Sequence, residues 1–300
     1  MNNAKPNRHR RRDSEEDELA TCRKSQRLVS DSFCEGTFTI MLEFIYSILS
    51  FAAAVMGSIT GMGSGVVMKP VLDIFGEYDV HTIGILSAFT VLGMSLVSVG
   101  KHVVWRTKLD GRIAIPLALG AVAGGFAGDS LLNLSMQSLY SDNVMKVVQN
   151  VLLAALLAVI FVYVLRRDKI RSLGISGLMP SCIAGVALGM VSSYLGIGGG
   201  PINVAVLMFV FSFDTKLAAV GSLVVIVFSQ LSKLVSALMQ GEFSHSDLHV
   251  LPFLIIAAIV GGFIGASLNR KMQEKTVAFL FNIMQVVVFL LCIANIVRYS

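Results

Sequence analysis

Charged residues are scarce in this chain. Aspartate, glutamate, lysine and arginine make up 14% of its 300 residues, whereas 55% are hydrophobic. A soluble domain carries about 25% charged residues, so the composition excludes a soluble globular protein and predicts a polytopic membrane protein. The net charge of +5 is typical of the excess of lysine and arginine in the loops of such proteins and does not indicate a nucleic-acid partner.

The signatures of common active sites are also missing. The cysteines lack the spacing of a metal or redox site; they are Cys22, Cys34, Cys182 and Cys292. No Gly-Lys-Ser/Thr follows the glycine clusters described below, which argues against a phosphate-binding loop. Ser64 is not in the Gly-x-Ser-Gly motif of an intramembrane protease, and no mid-span histidine supplies a base. We predict no enzyme activity, no cofactor and no metal.

Glycine, in contrast, is concentrated at two places within hydrophobic runs: residues 61–65 (Gly-Met-Gly-Ser-Gly) and 196–201 (Gly-Ile-Gly-Gly-Gly-Pro). Glycine costs about 1 kcal/mol relative to alanine inside a helix, so each cluster predicts a broken membrane helix. Broken backbone is tolerated in a bilayer only where protein or a water-filled cavity surrounds it. The helix that restarts directs its free N–H groups and the positive end of its dipole into that site, which favours an anion.

The surroundings of the two clusters are repeated as well. An offset of 135 residues (196 minus 61) aligns three pairs: Gly61 with Gly196, Asp79 with Asp214, and Ser87 with Ser222. After a small gap, residues 123–131 match residues 260–268. The same landmarks in the same order predict an internal duplication, which is common in secondary transporters.

A helix needs about 20 apolar residues to cross a bilayer. Ten hydrophobic segments are present, and the two short ones (66–75 and 202–213) directly follow the glycine clusters. We therefore predict an all-α polytopic membrane protein of two repeats, each with about five segments and one discontinuous helix. The predicted organisation is a disordered tail (1–38), repeat 1 (39–165), a basic hinge loop (166–173) and repeat 2 (174–300).

Residues 1–38 differ in composition from the rest. A basic block at 8–12 is followed by an acidic block at 13–18, with few large apolar residues, which predicts disorder. Two alternatives stay open: a basic arm that contacts anionic lipid, and a natural start at Met41. The first apolar run lacks a cleavage site, so we expect no cleaved signal peptide.

Loop charges predict the orientation. The basic loops at 101–112, 166–171 and 270–275 should be cytoplasmic, and the acidic loops at 76–79 and 241–247 should lie outside. This pattern fits five crossings per half, inverted repeats and an outside N-terminus. The arginine-rich tail favours the opposite side, in which case the first two segments form one crossing and a re-entrant piece.

Glycine spacing also predicts close helix packing. Gly120, Gly124 and Gly128 recur every four residues, as do Gly261 and Gly265. Small residues at this spacing lie on one face of a helix and let two membrane helices approach closely.

Together these motifs resemble the TauE/SafE sulfite exporter family, also called the toluene sulfonate uptake permeases. The resemblance covers residues 41–297 and depends on the cluster at 196–201, its looser copy at 61–65, and Gly-Gly-Phe-x-Gly in the hairpin that follows. Lys69, Gln230 and Lys233 are more polar than is usual in the family. The resemblance implies a cell-membrane transporter of sulfite or organosulfur anions that is driven by the proton gradient.

The candidate substrate-binding residues lie at the breaks and on the helices expected to face them. They are Gly61, Gly63, Ser64, Gly65, Lys69, Gly196, Gly198, Gly199, Gly200, Asn203, Gln230 and Lys233. For Ser87 and Ser222 we expect hydrogen bonds between helices. Asp79 and Asp214 each precede a long helix and are predicted N-caps.

The two lysines have alternative roles. Lys69 either binds the anion, snorkels to the interface or pairs with Asp73 four residues on. Lys233 either binds the anion or snorkels. The histidines at segment ends are either loop residues or members of a proton relay; they are His81, His102, His245 and His249.

We therefore predict a secondary transporter of a small anion, namely sulfite, an organosulfonate or another sulfur oxyanion, with proton coupling. The alternatives are a passive anion channel and a transporter of a non-sulfur organic anion. The predicted partners are the small anionic substrate and the lipid bilayer, and a homo-oligomer stays open.

Overall fold

The computed structural model describes residues 41, 43–76, 78–107, 110–139, 141–175, 177–244, 246 and 248–299. The chain divides into two compact units, residues 1–46 and 47–300. The described part of the first unit contains the start of the first helix. All contacts given below lie within the second unit, and the predicted disordered tail (1–38) lies outside the described residues.

The described residues form ten α-helices and two short 3₁₀ turns, with no strand among them, which confirms the predicted all-α class. The α-helices are α1 (Glu43–Thr60), α2 (Gly65–Phe75), α3 (Val80–Val104), α4 (Gly111–Leu139), α5 (Asp142–Leu165), α6 (Leu178–Leu195), α7 (Gly200–Val210), α8 (Thr215–Met239), α9 (Leu251–Lys271) and α10 (Glu274–Tyr299). The 3₁₀ turns are Arg167–Lys169 and Glu242–Ser244.

Eight of these helices are long and apolar enough to cross a membrane. The other two, α2 and α7, have 11 residues each and begin directly after the glycine clusters. The chain is therefore a multi-pass integral membrane protein, and the two short helices are where the sequence predicts them. Pro201 lies in the first turn of α7, where its missing N–H group costs nothing.

The two predicted N-caps differ. The Asp214 carboxylate accepts a hydrogen bond of 2.7 Å from the Leu217 amide, so it caps α8 as predicted. Asp79 occupies the same position before α3, but its side chain makes no capping bond. The capping role predicted for Asp79 is therefore wrong. Asp79 and Asp214 share the position before a long helix, but only Asp214 makes the capping hydrogen bond.

Close helix packing on glycine is confirmed. Gly124 of α4 lies directly against the carbonyl oxygen of Val186 on α6, so that a Cβ atom there would overlap the backbone. Gly261 of α9 packs in the same way on α1, with a built Cβ only 2.7 Å from the carbonyl oxygen of Phe51. These contacts hold α4 on α6 and α9 on α1 with backbone touching backbone.

Helices α3 and α8 pack on each other and run in opposite directions. His81, in the first turn of α3, lies 3.6 Å from Glu242, which follows the end of α8. At the other end, His102 near the end of α3 and Lys216 at the start of α8 line one cavity. The start of each helix therefore lies beside the end of the other.

The breaks lie inside the protein. Met62 and Ile197, the apolar residues within the two clusters, belong to the largest buried apolar cluster, together with Leu188, Leu207 and Phe281. Irregular backbone is thus shielded from lipid, as the absence of water in a bilayer requires.

Candidate functional site

The backbone of both clusters leaves the helical conformation. Positive φ angles occur at Gly61 (75°), Gly63 (76°), Gly196 (65°), Gly198 (77°) and Gly199 (83°). This left-handed region is open to glycine and costly for other residues. The predicted helix breaks are confirmed, and their cause is the backbone freedom of glycine.

The two breaks meet each other in the interior. A Cβ atom built on Gly65 would lie 2.7 Å from the carbonyl oxygen of Ile197, and one built on Gly200 would lie 2.5 Å from the carbonyl oxygen of Met62. Each short helix therefore begins against the backbone of the opposite break. Only glycine permits this approach from both sides.

One apolar side chain from each long neighbouring helix fills the space between the breaks. Val91 of α3 and Ile226 of α8 both lie within 4 Å of Cβ positions built on Gly63 and on Gly198. The same two side chains thus contact both breaks. Sequence reasoning missed them because an apolar residue in an apolar span carries no signal of its own.

Two serines connect the breaks to the opposite long helices. Ser87 of α3 donates a 3.1 Å hydrogen bond to the carbonyl oxygen of Gly196, and Ser222 of α8 donates a 2.6 Å bond to that of Gly61. These bonds satisfy carbonyl groups that the interrupted helices leave without helical partners. The expected hydrogen bonds between helices are confirmed.

Two buried lysines converge on the second break. A Cβ atom on Gly196 would lie 3.5 Å from Lys233 Nζ and 3.6 Å from Lys69 Cδ. Both residues are only 3% exposed, so the snorkelling considered for each is wrong. Their positive charges lie inside the protein because the surrounding helices close over them.

The lysines differ in their partners. Lys69 Nζ lies 3.6 Å from Asp73 Oδ2, which confirms the expected pair one turn apart. Lys233 Nζ reaches the carbonyl oxygen of Ser193 at 3.5 Å, and no carboxylate of the described residues lies within 4 Å of it. An ammonium group without a directly paired carboxylate in a membrane span attracts an anion strongly.

Asp73 is held by a buried amide. Asn150 of α5 donates a 3.1 Å hydrogen bond to Asp73 Oδ2. Asn295 of α10 donates at 2.9 Å to the carbonyl oxygen of Pro70, next to Lys69 in the same turn of α2. Asp73 Oδ1 is buried and has no hydrogen-bond partner in the described part of the chain. The carboxylate therefore has one satisfied oxygen and one unsatisfied oxygen.

Further polar groups near the breaks lack partners. Asn203, in the first turn of α7, has both amide atoms buried and unbonded among the described residues, and its Nδ2 lies 2.5 Å from a Cβ built on Gly199. The side chains of Ser64, Ser193 and Gln230 are likewise buried without partners there. Leaving a buried polar group unpaired costs about 1–3 kcal/mol, so such a group in a native protein points to a ligand or to a mobile element.

All twelve predicted site residues are buried. They come from the two breaks, α2, α7 and α8. Lys69 and Lys233 lie beside Gly196, and Asn203 lies against Gly199. Sequence reasoning did not single out Asn150 and Asn295 of α5 and α10. The signal was available, since each is an asparagine within a strongly apolar span.

The described histidines among the candidates (His81, His102 and His249) lie away from the breaks in sequence, at or near helix ends. His81 Nδ1 lies 3.6 Å from Glu242 Oε1, and Asn133 donates a 3.2 Å hydrogen bond to the same oxygen. The contact with His81 holds the pKa of the Glu242 carboxyl group below its ordinary value. His102 lines a cavity at the other end of α3, and His245 lies outside the described residues.

The comparisons with known proteins agree with this architecture. The family described as sulfite exporter TauE/SafE matches residues 46–292, which include both breaks. A similar protein is the probable membrane transporter protein YunE of Bacillus subtilis (strain 168), which is 24% identical over 275 residues, or 81% of this chain and 94% of the relative. No solved structure gives a significant match. Because the family match extends over most of the chain, the protein belongs to the sulfite exporter TauE/SafE family.

Proposed function

We propose that this protein is a secondary transporter of a small anion and that the anion binds where the two helix breaks meet. The observation that carries the proposal is the pair of buried lysines, Lys69 and Lys233, beside the break at Gly196. The N-termini of α2 and α7 add N–H groups and positive dipole ends. The unpaired amides of Asn203 and Gln230 supply further hydrogen bonds.

The substrate we propose is a sulfur oxyanion, sulfite or an organosulfonate. The family name supports sulfite, and the site supports any compact oxyanion because lysines and backbone N–H groups bind oxygen atoms without regard to the central atom. A carboxylate is the competing substrate, and the binding experiment below includes it.

An internal duplication with inverted halves is the second part of the proposal. The contacts between the breaks are reciprocal under the 135-residue offset: Gly65 meets Ile197 as Gly200 meets Met62. The antiparallel course of α3 and α8 supports inversion. Inverted repeats favour alternating access around a fixed central site over a passive channel. By the charge bias of the loops, the end with Lys216 and Arg270 faces the cytoplasm.

Proton coupling is expected because the anion replaces Asp73 as the partner of Lys69. When the anion binds Lys69, Asp73 loses its counter-charge and is left with one hydrogen bond, from Asn150. An unpaired carboxylate in a low-dielectric interior is costly, so Asp73 takes up a proton. One anion and one proton then bind together, and the net charge of the site does not change.

The other cations around Asp73 donate hydrogen bonds to backbone carbonyl groups. Lys146 of α5 donates a 2.8 Å hydrogen bond to the carbonyl oxygen of Tyr78. From α10, the Tyr299 hydroxyl donates at 2.5 Å to the backbone carbonyl of Asp73, and Arg298 donates to that of Ile74. Cys292 of the same helix is buried and interacts electrostatically with Lys69 and Asp73. Lys69 is therefore the cation whose partner can change.

The proposed function is tested by thermal stability of the purified protein in detergent with sulfite, methanesulfonate, thiosulfate, acetate or chloride. We expect stabilisation by a sulfur oxyanion, about 2.7 kcal/mol at a hundredfold excess over its dissociation constant. Stabilisation by acetate alone would indicate that the substrate is a carboxylate and not a sulfur oxyanion. No stabilisation by any anion, together with no uptake into proteoliposomes, would contradict the proposal.

Proton linkage is tested with methanesulfonate, which keeps one negative charge between pH 5 and 8. If one proton binds with each anion, the apparent dissociation constant should rise about tenfold for each unit by which the pH rises. Asp73→Asn should still bind methanesulfonate, with an affinity that no longer depends on pH.

Asp129→Asn is the matched control for this experiment. Asp129 is also buried in a membrane span, but its carboxylate accepts hydrogen bonds from Ser236 (2.5 Å) and Gln240 (3.0 Å). The pH dependence should persist in this variant. If the affinity of Asp73→Asn still depended on pH, coupling through Asp73 would be contradicted. If only Lys233→Gln lost the pH dependence, the proton would be assigned to Lys233.

A further inference from the structure

A polar cavity of about 310 Å³ lies away from the breaks, where α3 ends, α8 begins and α9 ends. We call it the basic cavity. The residues that line it are His102, Trp105, Thr107, Asp214, Lys216, Leu217, Val220, Asn269 and Arg270.

Positive charge predominates in the basic cavity. Lys216 Nζ is fixed at the end of α9 by the carbonyl oxygens of Arg270 (3.3 Å) and Met272 (2.9 Å). The Arg270 guanidinium lies 4.9 Å from the ring centre of Trp105. The one carboxylate in the lining, Asp214, is engaged as the cap of α8. Two cations that converge on a concave surface attract an anion.

The wall also contains a buried imidazole. His102 is 5% exposed, and its Nδ1 lies 3.1 Å from the Thr107 hydroxyl. Its Nε2 is buried without a hydrogen-bond partner in the described ranges. His102 is part of the cavity lining, and a ligand that carries oxygen atoms would satisfy this unpaired nitrogen.

The floor of the basic cavity adjoins the first break. Asn269, which is 2% exposed, donates a 2.5 Å hydrogen bond to the carbonyl oxygen of Ile59, in the last turn of α1. Val220 follows Ala219, whose Cβ would lie 2.6 Å from a Cβ built on Gly61. Both contacts connect the cavity to the backbone at which α1 ends and the break begins.

We propose that the basic cavity is a second oxyanion-binding site and that it holds the transported anion before the anion reaches the breaks. Lys216, Arg270 and His102 Nε2 provide the contacts. Its place on the transport path rests on the function proposed above, whereas oxyanion binding itself does not. The phosphate of a lipid headgroup has the same chemistry, and the experiment separates the two sources.

Trp105 gives a direct readout, since it is the single tryptophan of the chain and lines the cavity. We titrate the full-length protein, in lipid-free nonionic detergent with gluconate as the background anion, with methanesulfonate and follow tryptophan emission. Lys216→Gln and Arg270→Gln should each weaken the response about tenfold, the effect of one charged hydrogen bond. Lys271→Gln, which removes the same charge from an exposed neighbour outside the lining, should leave it unchanged.

Two further measurements distinguish a transported oxyanion from a lipid phosphate and distinguish this site from the helix breaks. A double variant, Lys69→Gln with Asp73→Asn, should keep the Trp105 response while it loses anion uptake into proteoliposomes. Phosphatidylglycerol added to the micelles should not displace methanesulfonate. A response to phosphatidylglycerol alone would overturn the role on the transport path. No response to either probe, or equal loss in Lys271→Gln, would overturn the site itself.

Discussion

Replacing Lys69 with glutamine and Asp73 with asparagine in the same chain is expected to weaken anion binding at the helix breaks strongly while the protein still folds. The anion loses its charged contact beside the second break, and a hydrogen bond to a charged group is worth about 1.5–3 kcal/mol. We expect at least a roughly tenfold to hundredfold loss of affinity, and no anion uptake into proteoliposomes. Binding is measured by ligand-dependent thermal stability.

The double change is preferable to Lys69→Gln alone. Removing one member of a buried ion pair leaves the other uncompensated, which costs about 3–5 kcal/mol, so the single variant confounds binding with stability. Asp73 would then keep only its hydrogen bond from Asn150. Lys271→Gln, an exposed charge change, is the control. A double variant that binds sulfur oxyanions with unchanged affinity would rule out Lys69 as an anion ligand.

The breaks and their short helices were predictable because glycine acts locally. Four glycines within residues 196–200 prevent a continuous helix whatever surrounds them, and α7 begins at Gly200. The alignment of Ser87 with Ser222 was also informative, since each donates to the carbonyl of a residue in the opposite cluster. The alignment did not predict that each serine would bond to the cluster of the other half, because this depends on how distant segments pack.

The positions of the lysines were not predictable, because tertiary packing decides them. Lys233 precedes the end of α8 by six residues (239 minus 233), a distance over which snorkelling is reasonable. It lies inside because Gly84 of α3 leaves room, with a built Cβ only 3.0 Å from Lys233 Nζ. In the same way, Arg270 indicated only loop charge in the sequence and Lys216 was not singled out, and the cavity that both line arises where three helix ends meet.

The orientation and the duplication stay predictions of the sequence. The structure contributes one physical constraint: α3 and α8, which the offset aligns, run antiparallel. A parallel duplication would require them to run in the same direction. Cysteine labelling from either side of the membrane, at exposed Lys271 and at Gln240, would determine the orientation.

Gly200→Ala is expected to lower the stability of the protein strongly. Its φ of 29° lies in the region that disfavours a side chain, and left-handed backbone costs a non-glycine residue roughly 1–2 kcal/mol. The new Cβ would also overlap Val66 and lie 2.5 Å from the Met62 carbonyl oxygen. Such overpacking adds about 1–3 kcal/mol, because the Met62 oxygen belongs to backbone and moves only if α1 or α2 moves.

The functional consequence follows from the same contact. To accommodate the methyl group, the start of α7 must move away from the first break, which displaces the N–H groups of α7 and the amide of Asn203 from the proposed anion site. We expect both a lower melting temperature and loss of sulfite uptake. Gly100→Ala, on α3, is the control: its Cβ meets no atom of the described chain within 4 Å, and alanine should leave stability unchanged or raise it slightly. If Gly200→Ala lowered the melting temperature but transported at the normal rate below it, the contact between the breaks would be structural only, and the proposed site would have to move away from α7.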